Sequence, residues 1–565
     1  MENTISMPWP VADAKPRPAP LVLNAAQKLL LPAGAVLFDY LFWQQGSGLN
    51  MLVFTVFVVG AQLLVWPAHA PGRRSGRVGL AAVGSLGSAV AVAVYGSGAA
   101  VLASWVSLAV LLGFANQPHL RLVLFAGLTG LGSAAQAGLR VVRGLRVPAA
   151  VSGAGMRRGW FYGRLAGLPL LVLGTFHLLF AAANPRYELW SGRALAVLGA
   201  WLARLWPAVS LAHVLFFTSG FLVVAGALVA VPVHAWVDRE GRLGEFVRRQ
   251  RDRVASLAVR RPDFAARTFR ALDLRKEWLM ALAVCGLVNA LLLLVNAIDV
   301  QWLWFGFAPP ADFNLAQFVH EGTWVLIFSI LLAMGIVLWF FRRNLNFYAP
   351  GLRPLRVLAT VWVLQNAVLA VSVGLRNYYY IHYSGLAYKR IGVVFFLALV
   401  LFGLGTVLLK IWQRRSAFAL VRLNAWAAYA VLLALAGGNW EVWIARYNLQ
   451  PRFAHIDIDF LLDMPGRVLP TLLERRAVLS QGAMLTTADA DVYQTVDADG
   501  GSVAAASDNV LTAAQAQALL DRKIAVWQAA YAAQPSWQSR CYADWRAHQQ
   551  LPKGPTQTPN GAKKP

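Results

Sequence analysis

The 565-residue chain is poor in charge and in cysteine, and each shortage excludes a class of protein. Charged residues make up 14% of the sequence, against about 25% in soluble domains, while 58% of the residues are hydrophobic. Its two cysteines, Cys285 and Cys541, lie far apart and match no disulfide framework and no metal-binding spacing. We therefore expect neither a soluble globular domain nor a disulfide-stabilised secreted one.

Motifs for metal, nucleotide and acyl-transfer chemistry are also missing. The stretch HEGTW, which begins at His320, has tryptophan where the zinc motif H-E-x-x-H needs its second histidine. No phosphate-binding loop or nucleophile elbow occurs in a strand-turn-helix context. The acidic stretch ADADVYQTVDADGG lacks the residue order of an EF-hand, so we interpret it as a solvated loop. We expect no metal site and no cofactor.

The formal net charge is +25, yet its distribution argues against nucleic acid as a partner. Nucleic-acid binding requires Lys and Arg clustered on one face, where they displace counterions from phosphates. From Trp440 onward basic and acidic residues balance, so the whole excess lies in the apolar part and its loops. We predict no nucleic-acid partner.

Apolar runs with helical spacing dominate the rest of the sequence. A helix of about 20 apolar residues spans the ~30 Å hydrocarbon core, and no alternation of period two suggests a membrane barrel. The sequence predicts an all-α fold, a polytopic transmembrane helical bundle of about 12 spans, with 11 or 13 as alternatives. The predicted spans are 29–45, 50–68, 79–96, 99–116, 121–138, 165–184, 208–234, 278–298, 322–341, 357–375, 391–410 and 419–437.

Composition also suggests a division of the chain into segments. The proline-rich N-terminus and the Pro, Lys and Gly tail are expected to be disordered. Between them we predict two membrane halves, a basic loop and a small, mainly helical soluble segment. The boundaries are 1–28 (N-terminus), 29–236 (first half), 237–277 (basic amphipathic loop), 278–437 (second half), 438–550 (soluble segment) and 551–565 (tail).

Basic residues concentrate in alternate connections, which predicts the orientation in a bacterial inner membrane. The basic connections 140–164, 239–276, 342–356 and 410–422 fall on one side, predicted to be cytoplasmic, which places both termini outside the cytoplasm. Arg73, Arg74 and Arg77 fall on the outer side under this count, which indicates one miscounted helix in the first half.

Two partners follow from this arrangement. The lipid bilayer surrounds the spans, and the basic loop fits a cationic amphipathic helix on anionic lipids, with a solvated loop as the alternative. A membrane-protein partner and the oligomeric state are left open.

Two further features of the predicted spans concern helix packing. Small residues every fourth position allow close helix contact, within one chain or between protomers. Single ionisable residues inside spans are candidates for interhelical hydrogen bonds as well as for function. The small residues are Ala126, Gly130, Ala134 and Gly138, and the ionisable ones are Asp39, His177 and His213.

Polar residues in the tenth predicted span share one helix face. Gln365, Ser372 and Arg376 are spaced i, i+7 and i+11, and Asn366 lies beside them. Because unpaired polar groups are costly in lipid, this face is predicted to point into the bundle.

The ends of the eighth to twelfth predicted spans share one membrane face, with 376–390 as the connection between the tenth and the eleventh. Acidic, basic and imidazole groups converge there among tyrosines, either as a site or as an interfacial belt with ion pairs. The catalytic residues, if any, are unknown. The candidate polar cluster is Asp299, His320, Glu321, Gln365, Asn366, Ser372, Arg376, Tyr379, Tyr380, His382, Lys389, Arg390, Glu441 and Arg446.

Several ordered motifs in the second half resemble a known family. VNAIDVQWLWFGF, FRRNLNFY, NWEVWIARYNL and the run from WVLQNAVLAV to YKRIGVVFFL are similar to bacterial membrane proteins grouped as domain of unknown function 4173, a relative of 4153. The resemblance is best over about residues 295–449. It implies a multi-pass bacterial membrane protein, and it implies no established activity, substrate or cofactor.

Two functions remain in view. We expect a non-enzymatic scaffold, sensing or transport-like component. The alternative is an enzyme acting at the outer leaflet on a lipid-linked or cell-envelope substrate. It would use Glu321 or His320 as the general base, with Arg376 or Arg390 holding an anionic headgroup.

Overall fold

The computed structural model is dominated by helices, and statements below concern only the residues it describes. The described residues are 23–65, 75–144, 169, 172–178, 180–181, 183–205, 210–229, 231, 233–247, 271–305, 307, 315–341, 344–453, 455–480, 484–486, 494–496, 502–504, 510–533 and 536–552. Most of the predicted basic loop, the first 22 residues and the last 13 lie outside this set.

Thirteen helices precede the soluble segment in the described part of the chain. They are α1 (Ala25–Phe42), α2 (Leu49–Val65), α3 (Gly76–Tyr95), α4 (Gly98–Asn116), α5 (Val123–Gly144), α6 (Pro185–Leu205), α7 (Leu211–Leu228), α8 (His234–Gly241), α9 (Ala271–Asp299), α10 (Leu315–Phe340), α11 (Ala349–Ser384), α12 (Tyr388–Gln413) and α13 (Ala417–Ala436). Within the described residues, eight helices are long and apolar enough to cross a membrane, and two shorter apolar helices lie at Leu49–Val65 and Trp324–Phe340. The all-α polytopic class is confirmed, and the number of spans stays a prediction.

The C-terminal segment is mainly helical, with small strands between its helices. Its helices are α14 (Trp440–Asn448), α15 (Ile458–Leu462), α16 (Leu469–Glu474), α17 (Ala513–Ala533) and α18 (Tyr542–Gln550). The strands are β1 (His455–Asp457), β2 (Met484–Thr486), β3 (Gln494–Val496), β4 (Ser502–Ala504) and β5 (Val510–Leu511). Strand β2 pairs with β1 in parallel and with β5 antiparallel, while β3 and β4 pair antiparallel.

Three segments that the sequence predicts to be connections or loops contain regular secondary structure. Helix α11 runs on to Ser384, so RNYYYIHYS is helix, and the connection to α12 is only Gly385–Ala387. Helix α6 occupies the connection between the predicted spans 165–184 and 208–234. Strand β3 lies within the predicted solvated loop. Helix α11 is 36 residues long, about 54 Å, which exceeds the ~30 Å hydrocarbon core, and it ends where Gly385 adopts a φ of +81°.

Contacts between Cα atoms divide the chain into two compact units. The first consists of Met1–Trp43, Phe57–Ala68 and Leu131–Pro232. Within it α1 and α7 pack antiparallel, since the Gln27 amide donates to the Leu228 carbonyl at one end (2.8 Å). At the other end His213 Nε2 lies 2.8 Å from Asp39 Oδ1. Asp39 and His213, two of the predicted intramembrane ionisable residues, therefore form an interhelical hydrogen bond.

The second unit consists of Gln44–Val56, His69–Gly130 and Val233–Pro565. Its membrane core contains Trp362 of α11 and Phe341, with apolar side chains of α9, α10 and α12 packed around them. A second core joins Ile391 at the start of α12 to Ile444 of α14 and Leu520 of α17. The soluble segment therefore packs on the helix ends through a continuous apolar core.

Ion pairs in the second unit bring several connections to one face, called the basic face below. Arg121 pairs with Glu240 (3.1 Å) and Glu245 (2.8 Å), and Arg422 also pairs with Glu245 (3.2 Å). The Arg77 guanidinium donates to the Leu120 carbonyl at 2.6 Å. Arg77 therefore lies on the same side of this unit as Arg121 and Glu240, whereas the count of predicted spans separates them; the side of the membrane stays a prediction.

Away from the basic face, the start of α2 and the turn between α3 and α4 contact the soluble segment. We call this side of the unit the tail face. The backbone N–H groups of Leu49 and Asn50 donate to the carbonyls of Arg540 (3.1 Å) and Gln538 (3.0 Å). At the turn between α3 and α4, Gly96 has φ of +61°, and a Cβ there would lie 3.1 Å from Cys541 Sγ. The turns before α2 and between α3 and α4 thus contact residues 538–541 of the soluble segment.

Candidate functional site

The polar face of α11 is turned toward α9. The Gln365 amide donates to Asn289 Oδ1 (3.2 Å), and the Asn289 amide donates to the Leu358 carbonyl (3.0 Å). Two helical turns further along α9, the Asn296 amide donates to the backbone carbonyl of Gln365 (3.0 Å). These bonds join the two helices along their length, as polar residues do inside membrane bundles.

The contact continues to the tail face. The Trp304 indole donates to Ser372 Oγ (3.1 Å), and Arg376 Nη2 lies 2.7 Å from Asp299 Oδ1. Both charged side chains are largely buried, with 11% of Arg376 and 6% of Asp299 exposed. We call this series of bonds the α9–α11 ladder. It pairs many polar groups between the two helices, so the predicted polar stripe is a helix contact, although Asn296 Oδ1, Asp299 Oδ2 and Gln365 Oε1 have no hydrogen-bond partner among the described residues.

A π-helical turn ends α9 and carries the ladder to the tyrosines. In this turn, Val300–Trp304, hydrogen bonds reach five residues back, and such turns are frequent at functional sites. Its Leu303 carbonyl accepts a hydrogen bond from Tyr379 Oη (3.0 Å), and the rings of Phe307 and Tyr379 lie 5.0 Å apart. Tyr379 is therefore held both by its hydrogen bond to the π-helical turn and by the packing of its ring against Phe307.

A cavity of about 300 Å³ lies at the tail face, between the α11–α12 connection and the soluble segment. It combines polar and aromatic side chains, the usual composition of a ligand site. The lining residues are Tyr380, Ser384, Gly385, Leu386, Ala387, Arg390, Asn448, Phe453, His455, Ile456, Asp457, Phe460 and Leu461.

Arg390 is the cation of the cavity, and its guanidinium is fixed on two sides. The group lies over the Tyr380 ring, 3.8 Å from the ring centroid. Its Nη1 donates to the carbonyls of Ser384 (2.6 Å) and Gly385. Stacking on an aromatic ring and capping of carbonyls at the end of α11 orient the planar group before any ligand arrives.

Asp457 and His455 enter the cavity from β1. Asp457 caps α15, because its Oδ1 accepts a hydrogen bond from the Phe460 N–H (2.9 Å). Desolvation by burial lowers the pKa of His455 below its ordinary value, and the charge of Asp457 opposes that shift. The cavity therefore presents a fixed carboxylate beside an imidazole that favours its neutral form.

The turn that closes the cavity depends on a glycine and an amide. Gly385 ends α11 with φ of +81°, a conformation that side chains disfavour. Asn448 Oδ1 accepts from the Leu386 N–H (2.6 Å), and the Asn448 amide donates to the Leu386 carbonyl (2.9 Å). The Asn448 side chain thus bonds both backbone groups of Leu386 and connects α14 to the turn.

A buried ion pair lies elsewhere in the soluble segment. Arg467 Nη2 is 2.8 Å from Glu441 Oε1, and their side chains are 5% and 6% exposed. Burial alone would lower the pKa of Arg467, but the hydrogen bond and charge of Glu441 raise it above its usual value. Glu441 therefore belongs to the attachment of α14 to the segment and does not line the cavity.

The structure separates the predicted polar cluster into groups. Asp299, Gln365, Ser372 and Arg376 form the ladder, Tyr379 contacts its end, and Tyr380 and Arg390 line the cavity. Asn366 is buried and bonds to the Trp362 carbonyl of its own helix (2.8 Å). Three residues are exposed, and two have side chains outside the described set. The exposed ones are His382, Lys389 and Arg446, and the two outside the set are His320 and Glu321.

Sequence reasoning missed the soluble-segment half of the cavity. His455 and Asp457 stand more than 60 positions after Arg390, in a stretch without a motif. Asn289 and Asn296 were also missed, although two amides seven positions apart in an apolar span are a detectable signal. Among the described residues, no group of three His, Cys, Asp or Glu could hold a metal ion.

Comparison with known proteins identifies a family. No curated protein and no solved structure gave a match. A family model described as domain of unknown function (DUF4153) matches residues 78–474, which include every residue that lines the cavity. The match extends well beyond the resemblance expected over 295–449 and concerns the relative, while the resemblance to family 4173 stays a prediction. The chain belongs to the DUF4153 family.

Proposed function

We propose that this membrane protein is a non-enzymatic scaffold or sensing component that binds a ligand in the tail-face cavity. The ladder carries this proposal. Several polar residues that could have lined a transport path in the second half bond instead between α9 and α11. Transporters place their polar groups around a path near the middle of the membrane. A closed helix contact with a cavity at one end favours binding over translocation.

The location that we propose is the bacterial cytoplasmic membrane, with the basic face in the cytoplasm. The positive-inside bias supports this, because Arg77, Arg121, Arg415 and Arg422 lie at that face. The soluble segment then lies outside the cytoplasm. The Arg121–Glu240 pair supports an even number of crossings between these residues, where the predicted spans give three. We therefore propose opposite sides for the two termini in place of a shared one.

Thiol labelling tests this topology. Cys541 is unsuitable as a probe, because burial and the charge of Asp544 raise the pKa of its thiol to about 12. The exposed Gln549, replaced by cysteine, is expected to react with an impermeant maleimide in spheroplasts, whereas Gln413→Cys at the basic face reacts only after lysis. Labelling of both before lysis, or the reverse pattern, contradicts the proposed orientation.

One observation favours the enzyme alternative. His455 and Asp457 line the same cavity as Arg390, and a neutral imidazole beside a carboxylate is a common general base. This pair would replace the bases considered from the sequence, His320 and Glu321. A lipid-linked or cell-envelope substrate would then react at the outer leaflet.

A turnover assay separates the two functions. Purified protein in proteoliposomes is incubated with an isotopically labelled total lipid extract, and all species are followed by mass spectrometry over hours. We expect no product that depends on the protein. A labelled product that accumulates with wild-type protein, but not with His455→Ala, would establish the enzyme alternative and end the proposal of a non-enzymatic role.

A further inference from the structure

The charges of the cavity restrict its ligand. Arg390 and Asp457 line the same space of about 300 Å³, at the lower end of the ~300–1,000 Å³ typical of ligand pockets. A purely anionic ligand would be repelled by Asp457, and a purely cationic one by Arg390, since charges next to protein interact more strongly than charges in bulk water. A small ligand that carries both charges satisfies both side chains.

The cationic side is built for a phosphate. A guanidinium has five N–H donors. Arg390 uses Nη1 on the carbonyls of Ser384 and Gly385 and makes one further hydrogen bond with Tyr380, which leaves donors for a ligand. Arg recognises phosphate oxygens through two parallel hydrogen bonds when its plane is held fixed. The Tyr380 ring and the carbonyls at the end of α11 provide that fixed plane.

The anionic side suits a primary ammonium. The Phe460 N–H occupies one lone pair of the Asp457 carboxylate and holds it in place, while a carboxylate has about four acceptor positions. An ammonium group with N–H donors can bond to the remaining positions. A quaternary ammonium has no such donor and can offer only its charge.

The position of the cavity indicates the source of the ligand. Arg390 lies in the first turn of α12, a helix long and apolar enough to cross a membrane. Exposed tyrosine and tryptophan side chains, Tyr388 and Trp443, lie near the same helix ends and are typical of the headgroup level. A lipid headgroup can therefore reach Arg390 while its acyl chains stay in the bilayer.

We propose that the cavity binds a phosphoethanolamine group, with its phosphate on Arg390 and its primary ammonium on Asp457. The inference rests on the ligand-binding function proposed above and specifies the ligand class. The same chemistry is shared by a phosphatidylethanolamine headgroup and by free phosphoethanolamine.

Native mass spectrometry of the delipidated full-length protein tests the proposal. The probes are dioleoyl forms of phosphatidylethanolamine, phosphatidylglycerol and phosphatidylcholine. Wild-type protein is expected to bind phosphatidylethanolamine about tenfold more tightly than either other lipid, the effect of one charge-assisted hydrogen bond. Arg390→Gln is expected to weaken all three. Displacement of the bound lipid by free phosphoethanolamine would assign the site to the soluble compound, and retention would assign it to the lipid.

Asp457→Asn is the decisive variant, because asparagine caps helices as well as aspartate and removes only the charge. It is expected to abolish the preference for phosphatidylethanolamine over phosphatidylglycerol, while Asp463→Asn, an exposed position at the end of α15, retains it. Equal binding of the three lipids by wild type, or an unchanged preference in Asp457→Asn, overturns the inference.

The two proposals fail separately. Absence of phosphatidylethanolamine binding with an unchanged labelled extract overturns only the ligand class. Binding followed by chemical conversion of the lipid supports the ligand class and overturns the non-enzymatic role.

Discussion

Arg376→Leu is expected to destabilise the protein by about 3–5 kcal/mol, because it leaves the buried Asp299 carboxylate without its cation. Thermal unfolding in detergent, followed by fluorescence-detected gel filtration, measures the loss. A matched surface variant is Lys389→Leu, whose side chain is exposed, and it is expected to stay within about 0.5 kcal/mol of wild type.

The double variant Asp299→Leu with Arg376→Leu distinguishes a structural contact from a binding site. Replacing a buried ion pair by apolar side chains is often neutral or stabilising, so most of the lost stability should return. Loss of lipid binding in a double variant of wild-type stability would show instead that Arg376 holds a ligand. That outcome would contradict the interpretation of the ladder as a helix contact.

Gly113→Ala is expected to destabilise the protein by about 1–3 kcal/mol. A Cβ at Gly113 would overlap the carbonyl of Ala126, and one at Gly130 would overlap the carbonyl of Ala109. Helices α4 and α5 therefore touch through two small-xxx-small pairs, and their backbones leave no room for a side chain. The unfolding temperature of the purified variant measures the effect.

Gly127→Ala is the matched control one residue from the contact. Its Cβ would meet only Val110 Cγ2 at 3.7 Å, an ordinary van der Waals distance. Because alanine favours a helix more than glycine by about 1 kcal/mol, this variant should be neutral or slightly stabilised. Equal damage from both substitutions would mean that the α4–α5 contact is not the cause.

The stripe of small residues shows how far the sequence reaches. Spacing alone predicted that Ala126, Gly130, Ala134 and Gly138 form a packing face, because every fourth residue of a helix lies on one side. Whether the face meets the same chain or a second copy depends on which helix lies opposite. Folding within the chain places α4 against Gly130 and α7 against Gly138.

The polar stripe on α11 gives the same lesson for the site. Its inward direction followed from the cost of polar groups in lipid, but the partner groups Asn289, Asn296 and Asp299 came from packing against α9. The tyrosine-rich stretch was read as a connection because polar and aromatic residues often end a span. It is helical as far as Ser384, and the helix ends at Gly385, whose positive φ suits a C-terminal cap.

Length and order of the apolar runs were enough to establish a polytopic helical membrane protein, because a bilayer demands helices of a set length whatever their neighbours. Composition also predicts a boundary between the membrane part and the soluble segment, which stays a prediction because residues Val233–Pro565 belong to one compact unit. The cavity depended on tertiary structure. Arg390, His455 and Asp457 meet only because the soluble segment folds back on the helix ends through β1 and a shared apolar core. Such long-range contacts depend on packing between elements, and the spacing of hydrophobic residues within one element does not predict that packing.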